Sequence, residues 1–166
     1  MNSGAISRAR LDSALRKLRN IEMRVRLSLT EDDVAIRQFA ASMVIDPENH
    51  EAAKSADAFI QRFEQLFETA LRRLFPATLR VIDIGDRSEG LLEMVNRLER
   101  LEFIADAARW LAWKELRDRL IHEYPDEPVD RARDLTDALE AAQQILIELT
   151  GFRDRLTRSL DSVSNR

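Results

Sequence analysis

Four glycines and four prolines in 166 residues leave this chain few places to turn sharply. An all-β fold needs a turn about every 8–12 residues, so that class is excluded. The expectation is an all-α fold of long helices. The length suits one compact domain, with enough chain to bury a core without staples. Cysteine is absent, which excludes a disulfide scaffold, a thiolate zinc site and a cysteine nucleophile. The purely apolar runs are only a few residues long, so no membrane span is expected. The N-terminus has no apolar leader, and we expect a cytoplasmic protein.

Apolar spacing of three and four residues gives five or six helices. The first runs from about Ser7 to Leu29, with Leu11, Ala14, Leu18, Ile21 and Val25 on one seam. Thr30 and Asp33 form a weak capping box for a second, acidic helix through about Val44. Asp46-Pro47 is a strong start signal, an N-cap acceptor followed by Pro at the first helical position. The helix it opens should reach Phe75 and stop at Pro76. Its stripe of Phe59, Phe63, Leu66, Phe67, Ala70, Leu71 and Leu74 is core. Residues 76–87 are the main break, where Val81, Ile82 and Ile84 form buried pegs in a loop rather than a strand.

Asp86 or Ser88 then caps a helix, with Glu89 in its first turn, that buries Leu91, Leu92, Val95 and Leu98. Another runs from about Glu102 to Tyr124 and ends at Pro125. Its core candidates are Phe103, Ala107, Trp110, Leu111 and Leu120. The last starts near Pro128, with a seam of Leu135, Leu139, Ala142, Leu146 and Leu149, and ends or bends at Gly151. Short connections imply antiparallel neighbours, hence an up-and-down bundle. Residues 1–45 read as an N-terminal helical extension packed on a bundle of 46–166.

Charge is uneven. The net charge is −4, yet residues 1–29 carry about +5 and 30–58 about −5. All but three of the 26 basic residues are arginine. An acidic chain is no obligate non-specific nucleic-acid binder, although a local arginine-lined groove can still hold one phosphate backbone. The basic N-terminal stretch keeps a packing register, so it reads as an amphipathic helix with a solvated face. That reading is preferred to an RNA-binding arm or a transit peptide.

Several chemistries are missing. There is no Gly-rich phosphate loop, no His-Glu-x-x-His and no nucleophile elbow. The chain has two histidines, His50 and His122, too few for a His-rich metal site. No metal and no cofactor is expected. His50 falls in the first turn of a helix, where the dipole disfavours a cation, and reads as a solvated surface residue.

His122 is placed differently. It lies near a helix C-terminus, where an imidazolium is stabilised by about 0.3–1 kcal/mol. Arg117 and Arg119 precede it, and the only tyrosine, Tyr124, comes two residues later. On an ideal helix Arg117 and His122 are about 140° apart, whereas Arg119 and His122 are about 60° apart and share a face. Arg117 therefore reaches a site at His122 only around the helix or across a subunit interface. The competing reading is a helix end laced with ion pairs, Arg117 or Arg119 to Glu115, Asp118 or Glu123.

Arg117-Asp118-Arg119-Leu120-Ile121-His122-Glu123-Tyr124 resembles the signature of HEPN domains, an Arg, a polar residue and a short spacer to His. The form with Tyr two after the His is that of HepT-like toxins. Ala58 to Glu68 resembles the long second helix of that family and of nucleotidyltransferase substrate-binding proteins. Asn96 to Trp110 is similar to the segment leading into the motif. The resemblance covers roughly residues 47–150. Asp118 stands where Asn is commoner in the family.

The resemblance implies a HEPN-like bundle of four or five helices that forms a homodimer. It implies a metal-independent ribonuclease toxin, neutralised by a minimal nucleotidyltransferase antitoxin. Arg117 and His122 would be catalytic, with Asp118 as the accessory polar residue. Arg119 is a candidate RNA contact. Tyr124 would be the site of AMPylation by the partner.

The chemistry suits these residue types. RNA cleaves when its 2′-OH is deprotonated and the leaving 5′-oxygen protonated, and an imidazole near neutrality serves in either role. Arginine neutralises the charge of the phosphorane-like transition state. A two-fold dimer would bring two Arg/His sets to one cleft. The alternative is a non-catalytic helical partner or regulatory subunit that binds the nucleotidyltransferase. The enzyme needs a solvent-reaching cleft at Arg117 and His122; the binding module would lock both in intramolecular ion pairs away from any cleft.

Overall fold

The computed structural model describes residues 3–42, 50–82, 90–122 and 127–164. It is an all-α helical bundle. In chain order its helices are α1 Ser3–Leu27, α2 Asp33–Ser42, α3 His50–Thr69, α4 Phe75–Ile82, α5 Leu91–Arg100, α6 Ala107–His122 and α7 Pro128–Ser164. Two pairs are joined without a break. A π-helical turn over Ser28–Asp32 links α1 to α2, and another over Ala70–Leu74 links α3 to α4. The described residues thus form five helical rods. None of their helices is long and apolar enough to cross a membrane.

Both π turns overturn a boundary expected from sequence. Thr30 does not cap a new helix. Its hydroxyl bonds backward to the carbonyls of Arg26 and Leu27, at 3.1 and 3.2 Å, and the helix continues. Pro76 does not stop the next rod. Proline lacks the donor for an i→i−4 bond, and its ring clashes with that carbonyl. Here the wide turn comes just before it, and the Phe75 N–H reaches back five residues to the Ala70 carbonyl. The rod then runs on to Ile82, so Val81 and Ile82 are helical rather than pegs in a loop. Ile84, the Asp46-Pro47 start signal, and the caps proposed at Asp86 and Ser88 with Glu89 all lie outside the described residues.

The boundaries around α5 and α6 are set by backbone hydrogen bonds. Gly90 precedes α5 in an extended conformation. Leu92 is exposed, and Met94 joins Val95 and Leu98 in the buried face instead. α5 closes on a left-handed residue, Glu102 with φ 61°. The Phe103 N–H bonds the Leu98 carbonyl and the Glu102 N–H that of Glu99, each at 2.8 Å. This is the Schellman closure, with buried Leu98 and Phe103 as its apolar contact. Residue 102 is therefore the end of a turn, and α6 starts at Ala107. Asp106 caps it through Oδ1, which accepts from the Arg109 N–H at 3.0 Å. α7 is one uninterrupted helix of 37 residues, and it does not end at Gly151.

One hydrophobic core unites these rods. All five seam residues of α1 are buried, as are the seven of the aromatic stripe and the five of the α7 seam. Side chains from four regions form a chain of ring contacts. Phe59, Phe63 and Phe67 succeed one another along α3, and Phe67 meets Trp110 of α6 at 5.7 Å. Trp110 meets Phe75 edge-on at 4.9 Å, and Phe75 stacks on Phe152 of α7 at 5.2 Å. Phe103 closes the far end at 5.1 Å from Phe152. Polar ties cross the same interfaces. Arg153 of α7 pairs with the buried Glu22 of α1, and Arg62 of α3 bonds the buried Ser28 hydroxyl at the first π turn. The N-terminal rod is thus built into the core of the bundle.

Candidate active site

α6 carries Arg117, Asp118 and Arg119 and ends at His122. The imidazole of His122 and the whole of Tyr124 lie outside the described residues. The three preceding side chains are placed, and none points freely into solvent.

Arg117 is 7% exposed. Its guanidinium lies against the Phe67 ring, 6.0 Å from the centroid. Nη2 donates to Oε1 of Glu68 on α3 at 2.9 Å. Nη1 is 3.1 Å from Oδ1 of the adjacent Asp118. Among the described residues, Nε is buried and has no acceptor. The Nε of Arg109, one face over on the same helix, is buried without an acceptor in the same way.

Both carboxylates are shared. Oε2 of Glu68 is 2.6 Å from Nε of Arg72, and Asp118 also pairs with Lys114 one turn back. The result is an alternating ladder, Lys114, Asp118, Arg117, Glu68, Arg72. Three cations and two carboxylates leave it one charge positive. Low exposure at Arg117 makes its pairs stronger than the surface pairs elsewhere on the bundle.

Arg119 turns the other way, toward α7. Its guanidinium grips both carboxylate oxygens of Asp134, with Nη2 2.9 Å from Oδ1 and Nε 3.1 Å from Oδ2. Asp134 is buried. Bidentate pairing fixes this arginine in a plane, tying α6 to α7 across the segment that contains Tyr124. Arg117 and Arg119 are thus held by different rods.

Glu68 and Asp134 are the residues that sequence reasoning missed. Each is an acid on another helix, at separations of 49 and 15 residues. Glu68 sits on the exposed flank of the aromatic stripe, beside Phe67. An arginine at the inward edge of α6 needs a carboxylate there, and that was the one available signal.

Glu68 also lies on the wall of a groove of about 960 Å³ between α1 and the α3–α4 rod. The groove brings Lys17, Arg24, Arg72 and Arg73 together with Glu64 and Glu68. The ion-paired state of Arg117 is what a binding module requires. The cleft that an enzyme requires is lined by its partner Glu68 and not by Arg117 itself. Among the described residues no group of three or more His, Asp or Glu could hold a metal ion.

Comparison with family models, with curated proteins and with solved structures finds no match.

Proposed function

We propose that the chain is a metal-independent RNA endonuclease of the HEPN type, the toxin of a cytoplasmic toxin–antitoxin pair. The observation that carries the proposal is the guanidinium of Arg117. It is held by Glu68 and Asp118, five residues before His122. A group that neutralises a transition-state phosphate is most effective when its orientation is fixed beforehand. Glu68 and the Phe67 ring supply that fixation.

In the proposed reaction the 2′-oxygen attacks the adjacent phosphorus as its proton is taken up. The bond from phosphorus to the 5′-oxygen breaks, and that oxygen is protonated. His122 moves one of these protons and its copy in a homodimer the other. Arg117 carries the charge that builds on the phosphoryl oxygens. A nucleotidyltransferase partner would silence the site by placing an adenylyl group on Tyr124, adding charge and bulk where the RNA must sit.

One observation favours the second reading, a non-catalytic partner of the nucleotidyltransferase. Both terminal nitrogens of Arg117 face carboxylates. In a single protomer the arginine meets a phosphate only by exchanging one of them.

The experiment is incubation of the chain with bulk transfer RNA in EDTA, beside His122→Ala. We expect cleavage by the wild type and a loss of about 10²-fold or more in the variant. No cleavage by unmodified, dimeric wild type would overturn this reading in favour of the binding module.

A further inference from the structure

We propose that the groove between α1 and the α3–α4 rod is a track for the sugar-phosphate backbone of RNA, leading to Arg117. The nature of the polyanion rests on the ribonuclease reading; the track itself rests on the groove.

Four exposed cations line it against two carboxylates, in a chain whose net charge is −4. One of the carboxylates, Glu68, is already neutralised by Arg72 and Arg117. Lys17, Arg24 and Arg73 have no ion pair among the described residues. Other exposed arginines of α1, such as Arg16 and Arg19, are unpaired among the described residues as well; what sets the groove apart is that its four cations converge from two rods.

Backbone geometry gathers these charges. Lys17 and Arg24 are seven residues apart on α1, about 10 Å along one face, or about three steps of a stacked strand. On the opposite wall the π turn matters. In a regular α-helix Arg73 would stand about 140° around from Glu68. A turn with i→i+5 periodicity returns it to the same side, and π turns recur at functional sites. Arg72 and Arg73 thus both face the groove, and Arg72 is joined through Glu68 to Arg117.

The lining fits a phosphate backbone better than an acidic polypeptide. A protein partner needs aromatic or aliphatic anchors in pockets. The one apolar side chain among the described lining residues is Ile21, and it is buried. No aromatic among the described residues lines the groove for base stacking, so the track reads charge and not sequence.

The test is equilibrium binding of a fluorescent single-stranded RNA to full-length His122→Ala, a background without turnover, across a salt series. Lys17→Glu, Arg24→Glu and Arg73→Glu are then added together. We expect the RNA affinity to fall at least tenfold and the slope of log K against log salt to shrink by about 2, since each lost phosphate contact removes about 0.7. A control reverses Arg16, Arg19 and Arg26, exposed on the other faces of α1. It should keep most of the affinity. A milder Gln set at the three groove positions covers the case in which reversal disturbs folding, judged by circular dichroism.

Equal loss in groove and control variants overturns the proposal, as does no RNA binding at all. Polyglutamate bound as tightly as RNA, with the same groove dependence, overturns it in favour of an acidic polypeptide. Groove-dependent RNA binding by a wild type that never cleaves removes the ribonuclease reading and leaves the track standing. Cleavage that is unchanged when the same groove substitutions are made with His122 intact does the reverse.

Discussion

At the scale of single residues, the energetics of the site turn on Glu68. It accepts from Arg117 on one oxygen and faces Arg72 with the other. Removing it leaves a 7%-exposed guanidinium with Asp118 alone. Breaking a pair of this kind costs more than the pair contributes, because the remaining charge stays buried. We expect Glu68→Ala to lower stability by about 1.5–3 kcal/mol in urea unfolding, the range for hydrogen bonds to charged groups. Arg72→Ala, on the exposed side of the same carboxylate, should change it by under about 1 kcal/mol. Equal effects would show that Arg117 is not held as described. The sequence placed Arg117, Asp118 and Arg119 on α6, yet it did not reveal that Arg117 and Arg119 are held by different rods. A register argument fixes angles on one helix, and the partners stand on others.

At the scale of elements, apolar seams were legible and boundaries were not. The predicted seam residues of α1, α3 and α7 are all buried, because a 3.6-residue period is a direct consequence of which face meets the core. Helix ends depend on smaller energies that the core overrides. Thr30 and Pro76 carry local stop or start signals, each worth a few kcal/mol at most, and the two π turns absorb them. Glu102 shows the reverse case, a closure without its usual glycine. Gly151, in turn, sits inside α7 with helical geometry, and an added Cβ there meets nothing within 4 Å. Exchanging the two preferences should stabilise the bundle. We expect Gly151→Ala to add about 0.8–1 kcal/mol and Glu102→Gly about 0.5–1 kcal/mol, seen as a rise in Tm of a few degrees. A fall in Tm for Gly151→Ala would mean that the glycine marks a bend after all.

At the scale of the whole molecule, the question is whether residues 1–45 are an addition or a part. Sequence read them as an N-terminal helical extension packed on a bundle of 46–166. Burial shows how much of the core that packing involves. Leu11, Leu18 and Val25 are fully buried in the same cluster as Phe59, Phe67 and Trp110, and α2 adds Ile36 and Phe39. Each such side chain contributes about 1.5–3 kcal/mol by leaving water, against a total stability of about 5–15 kcal/mol for a domain. Removing the rod would also uncover one wall of the cationic groove and leave Arg153 without Glu22. A chain starting at residue 46 should therefore fail to fold cooperatively, with Trp110 and Trp113 exposed to quencher and no unfolding transition in calorimetry. The full chain should show one transition, coincident by tryptophan fluorescence and by helical circular dichroism, as a single shared core requires. Two separated transitions, or a truncated chain that melts sharply, would make residues 1–45 an appendage. The α1 wall of the groove would then be detachable from the site on α6, and cleavage and RNA binding would be separable by truncation alone.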